Sequence, residues 1–218
     1  PELLADRRVA SVTGTNGKTT TTHFLTAAVK AGTPDGQRNV VTNADGANLH
    51  HGIVSALGEA PDATIAVLET DERVVADVVA MGNPEVLVLL NFSRDQLDRN
   101  HELTFLGRDW RAALEGAAEH GPTVVANACD PLIVWVCQKA RQVIWVDTKP
   151  RWTADSTLCP NCDAVLTHGE DGWDCPGCEL SQPAADWWVE DHDAVEASGR
   201  RFHLDVQVPG SFNLTNAT

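Results

Sequence analysis

Arg8-Val9-Ala10-Ser11-Val12-Thr13-Gly14-Thr15-Asn16-Gly17-Lys18-Thr19-Thr20 joins an apolar strand to a glycine-rich turn and opens a helix on Lys-Thr. The strand reads from Arg8 to Val12, and the helix from Lys18 through His23, Phe24, Leu25, Ala28 and Val29 to Gly32. Such a turn aims backbone N–H groups at phosphate oxygens, and the helix dipole favours their charge; a lysine reaches the β and γ phosphates and a hydroxyl holds Mg²⁺. Gly14, Thr15, Asn16, Gly17, Lys18, Thr19 and Thr20 are therefore the expected binding residues for a nucleoside triphosphate, with Thr19 the first Mg²⁺ ligand. The common spacing G-x-x-x-x-G-K-[ST] places a glycine where this chain has Val12, so the loop is a variant whose first glycine is Gly14. The alternative, a turn rich in Gly and Thr for conformational reasons alone, leaves Lys-Thr at the helix start unexplained.

A chain of 218 residues buries a substantial core and fits one α/β domain with a small appendage. Its 31 acidic against 16 basic residues, a formal charge of −15, argue against sequence-independent nucleic-acid binding, where lysines and arginines must neutralise phosphates. The lysines are Lys18, Lys30, Lys139 and Lys149. A phosphate site here must be local, built from N–H groups, Lys18 and a bound cation, which implies Mg²⁺. No apolar run approaches the ~20 residues of a membrane span and no signal peptide precedes Pro1, so the expected location is cytoplasmic. The chain starts without Met and stops at Asn213-Leu-Thr-Asn-Ala-Thr218, which reads as the opening of a helix; the expectation is a piece of a longer protein.

Strand-like runs at 8–12, 39–42, 64–68, 85–90, 123–126 and 142–146 alternate with helix-like runs at 18–31, 49–57, 73–81, 101–118 and 131–140. That alternation, with nearly continuous apolar strands, indicates an α/β fold with a mainly parallel sheet covered on both faces. Ligands then gather at the carboxyl ends of the strands. From Thr148 the character changes to Pro, Asp, Cys, Gly and Trp. The expected division is a nucleotide-binding domain over 1–147, an inserted module over 148–183, and a return to the main body over 184–218. The return is read as a hairpin of Asp186 to Asp191 with Arg201 to Val208. Trp145, Trp152, Trp173, Trp187 and Trp188 fall in or beside the module and are read as packing for a unit short of core.

Cys159-Pro-Asn-Cys162 and Cys175-Pro-Gly-Cys178 form C-x₂-C-x₁₂-C-x₂-C, two knuckles that bring four thiolates onto one tetrahedral ion. Zn²⁺ is the expected metal; two disulfides, or iron in the same cage, are the alternatives. Four thiolates leave no open position, so the site is structural. His168, inside the loop, reads as solvated, and Cys129 and Cys137 as buried structural thiols.

Glu69 directly follows its strand, at the sheet edge where a second Mg²⁺ ligand belongs, and with Lys18 is a candidate catalytic residue. Glu72 lies one helical turn on and could share its face, although Asp71 and Glu72 also suit a helix N-terminus. Asp95 and Asp98 share a helical face in Asn91-Phe-Ser-Arg-Asp-Gln-Leu-Asp-Arg99. Asn43 to Asn48 place further amides at the same edge, where turn chemistry alone would also put them.

Taken together, Thr13-Gly-Thr-Asn-Gly-Lys-Thr-Thr20, Glu69, Asn91 to Asp98 and Gly210-Ser-Phe-Asn-Leu-Thr-Asn-Ala217 resemble the central domain of the Mur ligases, ATP-dependent enzymes that join amine to carboxylate in peptidoglycan assembly. Gln96, Thr42-Asn-Ala-Asp-Gly-Ala-Asn48 and the four-cysteine ribbon are most similar to the MurT-type subunits of lipid II isoglutaminyl synthases. The resemblance implies ATP, Mg²⁺ and Zn²⁺ as cofactors, with Glu69 on the metal and Asn213 at the adenine. It implies amidation of the D-glutamate α-carboxylate of lipid II through an acyl phosphate, with ammonia from a GatD-like glutaminase partner. An amino-acid-adding or folylpolyglutamate-synthase-like ligase, and a non-catalytic zinc-ribbon nucleotide-binding module, are the other readings. Two departures from the family pattern stand out. No lysine between Lys30 and Lys139 is present for the carbamylated lysine that many Mur ligases use, and the C-terminal ligase domain would begin after Thr218. The chain alone is therefore expected to catalyse little.

Overall fold

The structure, a computed structural model, describes residues 2–35, 39–44, 48–92, 100–117, 119–149 and 157–218. Its main sheet has six strands in the first part of the chain: β1 (Arg8–Thr13), β2 (Val40–Thr42), β3 (Ile65–Glu69), β4 (Val86–Leu89), β5 (Thr123–Asn127) and β6 (Gln142–Asp147). They are mutually parallel in the spatial order β6-β5-β4-β1-β3-β2. The intervening helices are α1 (Lys18–Gly32), α2 (His50–Glu59), α3 (Val75–Gly82), α4 (Asn100–Gly116) and α5 (Pro131–Cys137). Parallel neighbours need such crossovers, and helices over the sheet explain why Val12, Ala66, Val67, Leu68, Leu87 and Val124 are sealed from solvent on consecutive strands.

Winding reverses at β1. The chain passes over β3 to lay down β2, returns for β3, and then builds β4, β5 and β6 on the other side of β1. The crevice beyond the carboxyl end of β1 is thus a topological switch point, where open α/β sheets bind their ligands.

After β6 the chain leaves the sheet, forms a two-stranded antiparallel ribbon of β7 (Thr167–Gly169) and β8 (Gly172–Asp174), and re-enters as β9 (Trp187–Glu190), parallel to β6. The expected hairpin is a three-stranded meander. β9 pairs with β10 (Asp193–Glu196), which pairs with β11 (Arg201–His203), all antiparallel. The middle strand was hidden because Asp193-Ala-Val-Glu196 carries only two apolar residues between two acids, too short a run to show alternation. A last helix, α6 (Ser211–Ala217), packs on α1.

Among the described residues, the apolar side chains of the ribbon join the core of the main body. Cys159, Leu166, Trp173, Cys175 and Leu180 belong to one continuous apolar cluster with Leu89, Val124, Ile133 and Trp110 from the sheet and its helices. Trp145 packs against that cluster, Trp187 and Trp188 are half-buried on β9, and Trp152 lies outside the described residues.

Candidate functional site

The turn between β1 and α1 is shaped by backbone constraints that the sequence announces. Gly14 sits at φ +142°, and a Cβ there would fall 2.8 Å from Leu90 Cβ and 2.9 Å from Asn91 N. Only glycine fits both the angle and the space. Asn91, just past β4, clamps the loop. Its carbonyl accepts from Thr15 N at 2.9 Å, its Oδ1 accepts from Asn16 N at 3.0 Å, and its Nδ2 donates to Asn16 O at 2.9 Å. The loop is therefore braced by the residue that follows β4, and such bracing lowers the cost of ordering it around a ligand.

Gly17, at φ +88°, is the N-cap of α1, and no side chain caps that end. The first N–H groups of the helix, beginning at Lys18, thus have no capping side chain and face the crevice with the positive end of the dipole behind them. Lys18 folds back over the turn, donating to Gly14 O at 2.5 Å and to Thr15 O at 3.4 Å, with both Glu72 carboxylate oxygens at 3.5 Å. Thr19 is exposed and Thr20 half-buried at the start of the helix.

Glu69 ends β3 beside Val12 of β1 and is 6% exposed. Asn43 exchanges two hydrogen bonds with its backbone: Nδ2 donates to Glu69 O at 2.9 Å and Glu69 N donates to Asn43 Oδ1 at 2.8 Å. Asn48 Nδ2 donates to Glu69 Oε1 at 3.3 Å. A buried carboxylate with one modest donor keeps lone pairs for a cation. Among the amides expected after β2, Asn43 and Asn48 therefore converge on Glu69; Asp45, Gly46 and Ala47 lie outside the described residues, as do Asp95, Gln96 and Asp98.

Beside the loop, at the carboxyl ends of β4, β5 and β6, a cavity of about 280 Å³ opens between Leu90, Asn127, Thr148, Phe212 and Asn216. Thr21 lines it, and its Oγ1 is buried without a hydrogen-bond partner among the described residues. Asn127 braces this wall: Nδ2 donates to Leu90 O, and Oδ1 accepts from Cys129 N and Thr148 Oγ1. Asn213 is 2% exposed, donates from Nδ2 to Pro209 O at 2.8 Å, and does not line the cavity. Asn216, one turn later, does line it. Asn91, Asn127 and Asn216 are site residues that the sequence reading left without a role. Asn91 and Asn216 were in plain view in quoted motifs, whereas nothing local distinguishes Asn127.

The four cysteine sulfurs gather within 4.8 Å of one another, with Cys159 and Cys178 at 3.6 Å and Cys162 and Cys175 at 3.4 Å. A tetrahedral ion with metal–sulfur bonds of about 2.3 Å spaces its sulfurs by about 3.8 Å, so the cage has the size of a single-ion site. The separations are well beyond the ~2.05 Å of a disulfide. A hydrogen bond from the Leu180 backbone holds the Cys178 thiol down to about 6, whereas burial pushes Cys159 up to about 12. Gly177 allows the second knuckle to close, since a Cβ there would meet Ala164 Cβ at 2.8 Å and Cys162 Sγ at 3.1 Å. His168 is exposed. Cys137 is buried, and Cys129, half-buried, donates from Sγ to Asp147 Oδ1 at 3.0 Å.

A glycine-rich turn at the switch point, a buried glutamate on the adjoining strand and an amide clamp define an open α/β domain with a ligand crevice at the carboxyl ends of its strands, and its sequence places it in a family. The profile described as Mur ligase middle domain matches residues 12–218, and the chain belongs to that family. Two curated relatives are lipid II isoglutaminyl synthase (glutamine-hydrolyzing) subunits MurT. That of Staphylococcus aureus (strain COL) is 26% identical, over 96% of this chain and 50% of its own; that of Streptococcus pneumoniae (strain ATCC BAA-255 / R6) is 26% identical, over 99% and 52%. The UDP-N-acetylmuramate--L-alanine ligase of Saccharopolyspora erythraea is 38% identical over 45% of this chain and 18% of its own. The chain spans about half the length of the MurT relatives. The fold is also that of a pseudomurein peptide ligase type C from Methanothermus fervidus, with a TM-score of 0.66 at 20% identity over 96% of this chain and 44% of the other. No helix among the described residues is long and apolar enough to cross a membrane.

Proposed function

We propose that this chain is the ATP-binding part of an ATP-dependent carbon–nitrogen ligase of peptidoglycan biosynthesis, amidating the D-glutamate α-carboxylate of lipid II with ammonia from a glutaminase partner. The observation that carries the reading is the similarity to MurT subunits, which extends past the phosphate loop through the four-cysteine ribbon. An alanine-adding ligase matches only 45% of the chain.

In this reading the N–H groups of Gly14 to Thr20 and the Lys18 ammonium hold the triphosphate, and Thr19 and Glu69 take Mg²⁺, which would supply charge neutralisation at the phosphates. Asn216 and the cavity behind it receive the nucleobase, with Asn213 fixing the turn that presents Asn216. The glutamate carboxylate oxygen attacks the γ-phosphorus and the bond to the leaving ADP oxygen breaks. Ammonia nitrogen then adds to the acyl-phosphate carbonyl, phosphate departs with the C–O electron pair, and the nitrogen loses a proton. The chain's contribution is to align oxygens and neutralise charge, the main tasks in phosphoryl transfer. Cys159, Cys162, Cys175 and Cys178 hold Zn²⁺ in a closed structural site. Residues 148–183 are the inserted ribbon and 184–218 the return to the main body.

The test is the full-length protein with its glutaminase partner, ATP, glutamine and lipid II. ADP and amidated lipid II are the expected products, and Lys18→Ala should abolish both with zinc content unchanged. Absence of product with both subunits present overturns the assignment, and incorporation of a labelled amino acid in place of ammonia establishes the amino-acid-adding alternative.

A further inference from the structure

The lysine of the glycine-rich turn is already paired with a carboxylate. Lys18 Nζ lies 3.5 Å from each oxygen of Glu72, and the two side chains are 14% and 18% exposed. Glu69, nearly sealed from solvent, ends the adjoining strand. The ammonium and the Glu72 carboxylate therefore meet in a partly desolvated crevice, where charges are screened far less than at the surface.

Glu72 cannot withdraw as a unit. Its carbonyl accepts from Trp110 Nε1 at 2.8 Å, and Trp110 is 2% exposed and packs at a tilt against Phe92 with ring centroids 4.4 Å apart. The preceding residue is tied as well: Asp71 N donates to Asn48 O, and Asp71 O accepts from Val74 N. Lys18, by contrast, has a long side chain whose other partners are the carbonyls of Gly14 and Thr15. When Lys18 turns toward a phosphate, Glu72, its backbone pinned next to the loop, loses its ammonium.

From this geometry we infer that Glu72 is a positioning residue that makes nucleotide binding conditional on a divalent cation. With no nucleotide it parks Lys18 over the turn. A triphosphate arriving without a cation takes Lys18 away and leaves Glu72 unpaired against like charge, which is costly in a half-buried site. A triphosphate arriving with its cation brings a positive centre that offsets the carboxylate. Glu72 thereby selects the metal complex over the free nucleotide. The inference rests on the assignment of Lys18 to the phosphates.

The experiment measures the dissociation constant of ATP for the full-length protein in excess Mg²⁺ and in Mg²⁺-free buffer without chelator, so that the ribbon keeps its metal, for wild type and Glu72→Gln. The variant should bind Mg²⁺-free ATP more tightly by about tenfold or more, and the Mg²⁺ complex by less than about threefold. Glu72→Ser repeats the measurement should the glutamine variant not fold. An equal gain under both conditions, or weaker binding of the Mg²⁺ complex, overturns the inference. Should wild type bind ATP in neither condition, or Lys18→Ala retain it, the phosphate assignment itself fails. Where Lys18 is required but the gain specific to the Mg²⁺-free condition is absent, this inference alone falls.

Discussion

Asn216 lies directly over Gly17: its Oδ1 is 3.0 Å from the position that a Cβ on Gly17 would occupy. The final helix thus closes on the first turn of the first one, and residues separated by almost the whole chain share one wall of the crevice. Neither side chain can grow without moving the other.

Gly17→Ala tests that relationship. The substitution places a side chain at φ +88°, a strained conformation, and drives its Cβ into Asn216. Stability should fall by about 1–3 kcal/mol in denaturant titration, and ATP affinity by about tenfold or more as the loop shifts. Adding Asn216→Ser should restore only the part due to crowding, because the backbone angle is unchanged.

The shared core predicts how metal removal propagates. Cys159 and Cys175 are packed with Val124 and Ile133, and Trp173 Nε1 donates to Ala128 O at 3.3 Å, next to the Asn127 brace of the cavity. Chelation or Cys159→Ser should therefore lower the thermal midpoint of the main body together with the ribbon, in one transition. Two separate transitions, the main one unmoved, would show the ribbon to be independent. Trp173→Phe should keep stoichiometric zinc yet lose about 1–3 kcal/mol, as a buried carbonyl loses its donor.

The parallel sheet was legible because strands buried on both faces read as apolar runs, and the tight turn between β1 and α1 because Gly14 and Gly17 occupy angles or spaces closed to other residues. The four cysteines were legible from spacing alone. What escaped was tertiary. Asn91 clamps Asn16 across 75 positions, Asn127 braces Leu90 across 37, and Trp110 reaches Glu72 across 38. Each is a polar group whose role depends on which strands become neighbours, and no local pattern encodes that. The reading of the ribbon as a separate module weighed its composition, whereas its packing is decided by Leu166, Trp173 and Leu180 pointing into a core supplied by other elements.

Thiol chemistry separates the two isolated cysteines from the cage. Burial pushes the Cys137 thiol well above the usual range, and burial followed by the Asp147 carboxylate pushes Cys129 up to about 12. With thiolate the reactive form, neither should be alkylated by iodoacetamide in the native zinc-loaded protein at pH 8, and both should react after unfolding. Asp147→Asn removes one of the two causes at Cys129 and should speed its alkylation, by about tenfold for each unit the thiol falls, without reaching the unfolded rate. Peptide mapping by mass spectrometry reads both sites.

The turn between β10 and β11 should loosen in acid. Arg200 grips Glu196 with two hydrogen bonds, Nε to Oε2 at 2.6 Å and Nη2 to Oε1 at 2.7 Å, and Ser198 donates to the same carboxylate. The guanidinium first and the hydroxyl second hold Glu196 down to about 2, against an ordinary 4.5. A carboxyl whose pKa is lower in the folded than in the unfolded chain stabilises the fold fully above the unfolded value, and that contribution fades as pH falls toward the folded value. The window is therefore between pH 4.5 and about 2. Amide protection factors for β10 and β11, corrected for intrinsic exchange, should be constant from pH 7 to 5 and drop by pH 3, while those of β1 and β3 stay level. Glu196→Gln should lower the plateau and flatten that drop, leaving the part contributed by Asp193, which His203 first and Arg201 second also hold low. An undiminished drop in the variant would assign the acid response to Asp193 or Glu190 instead.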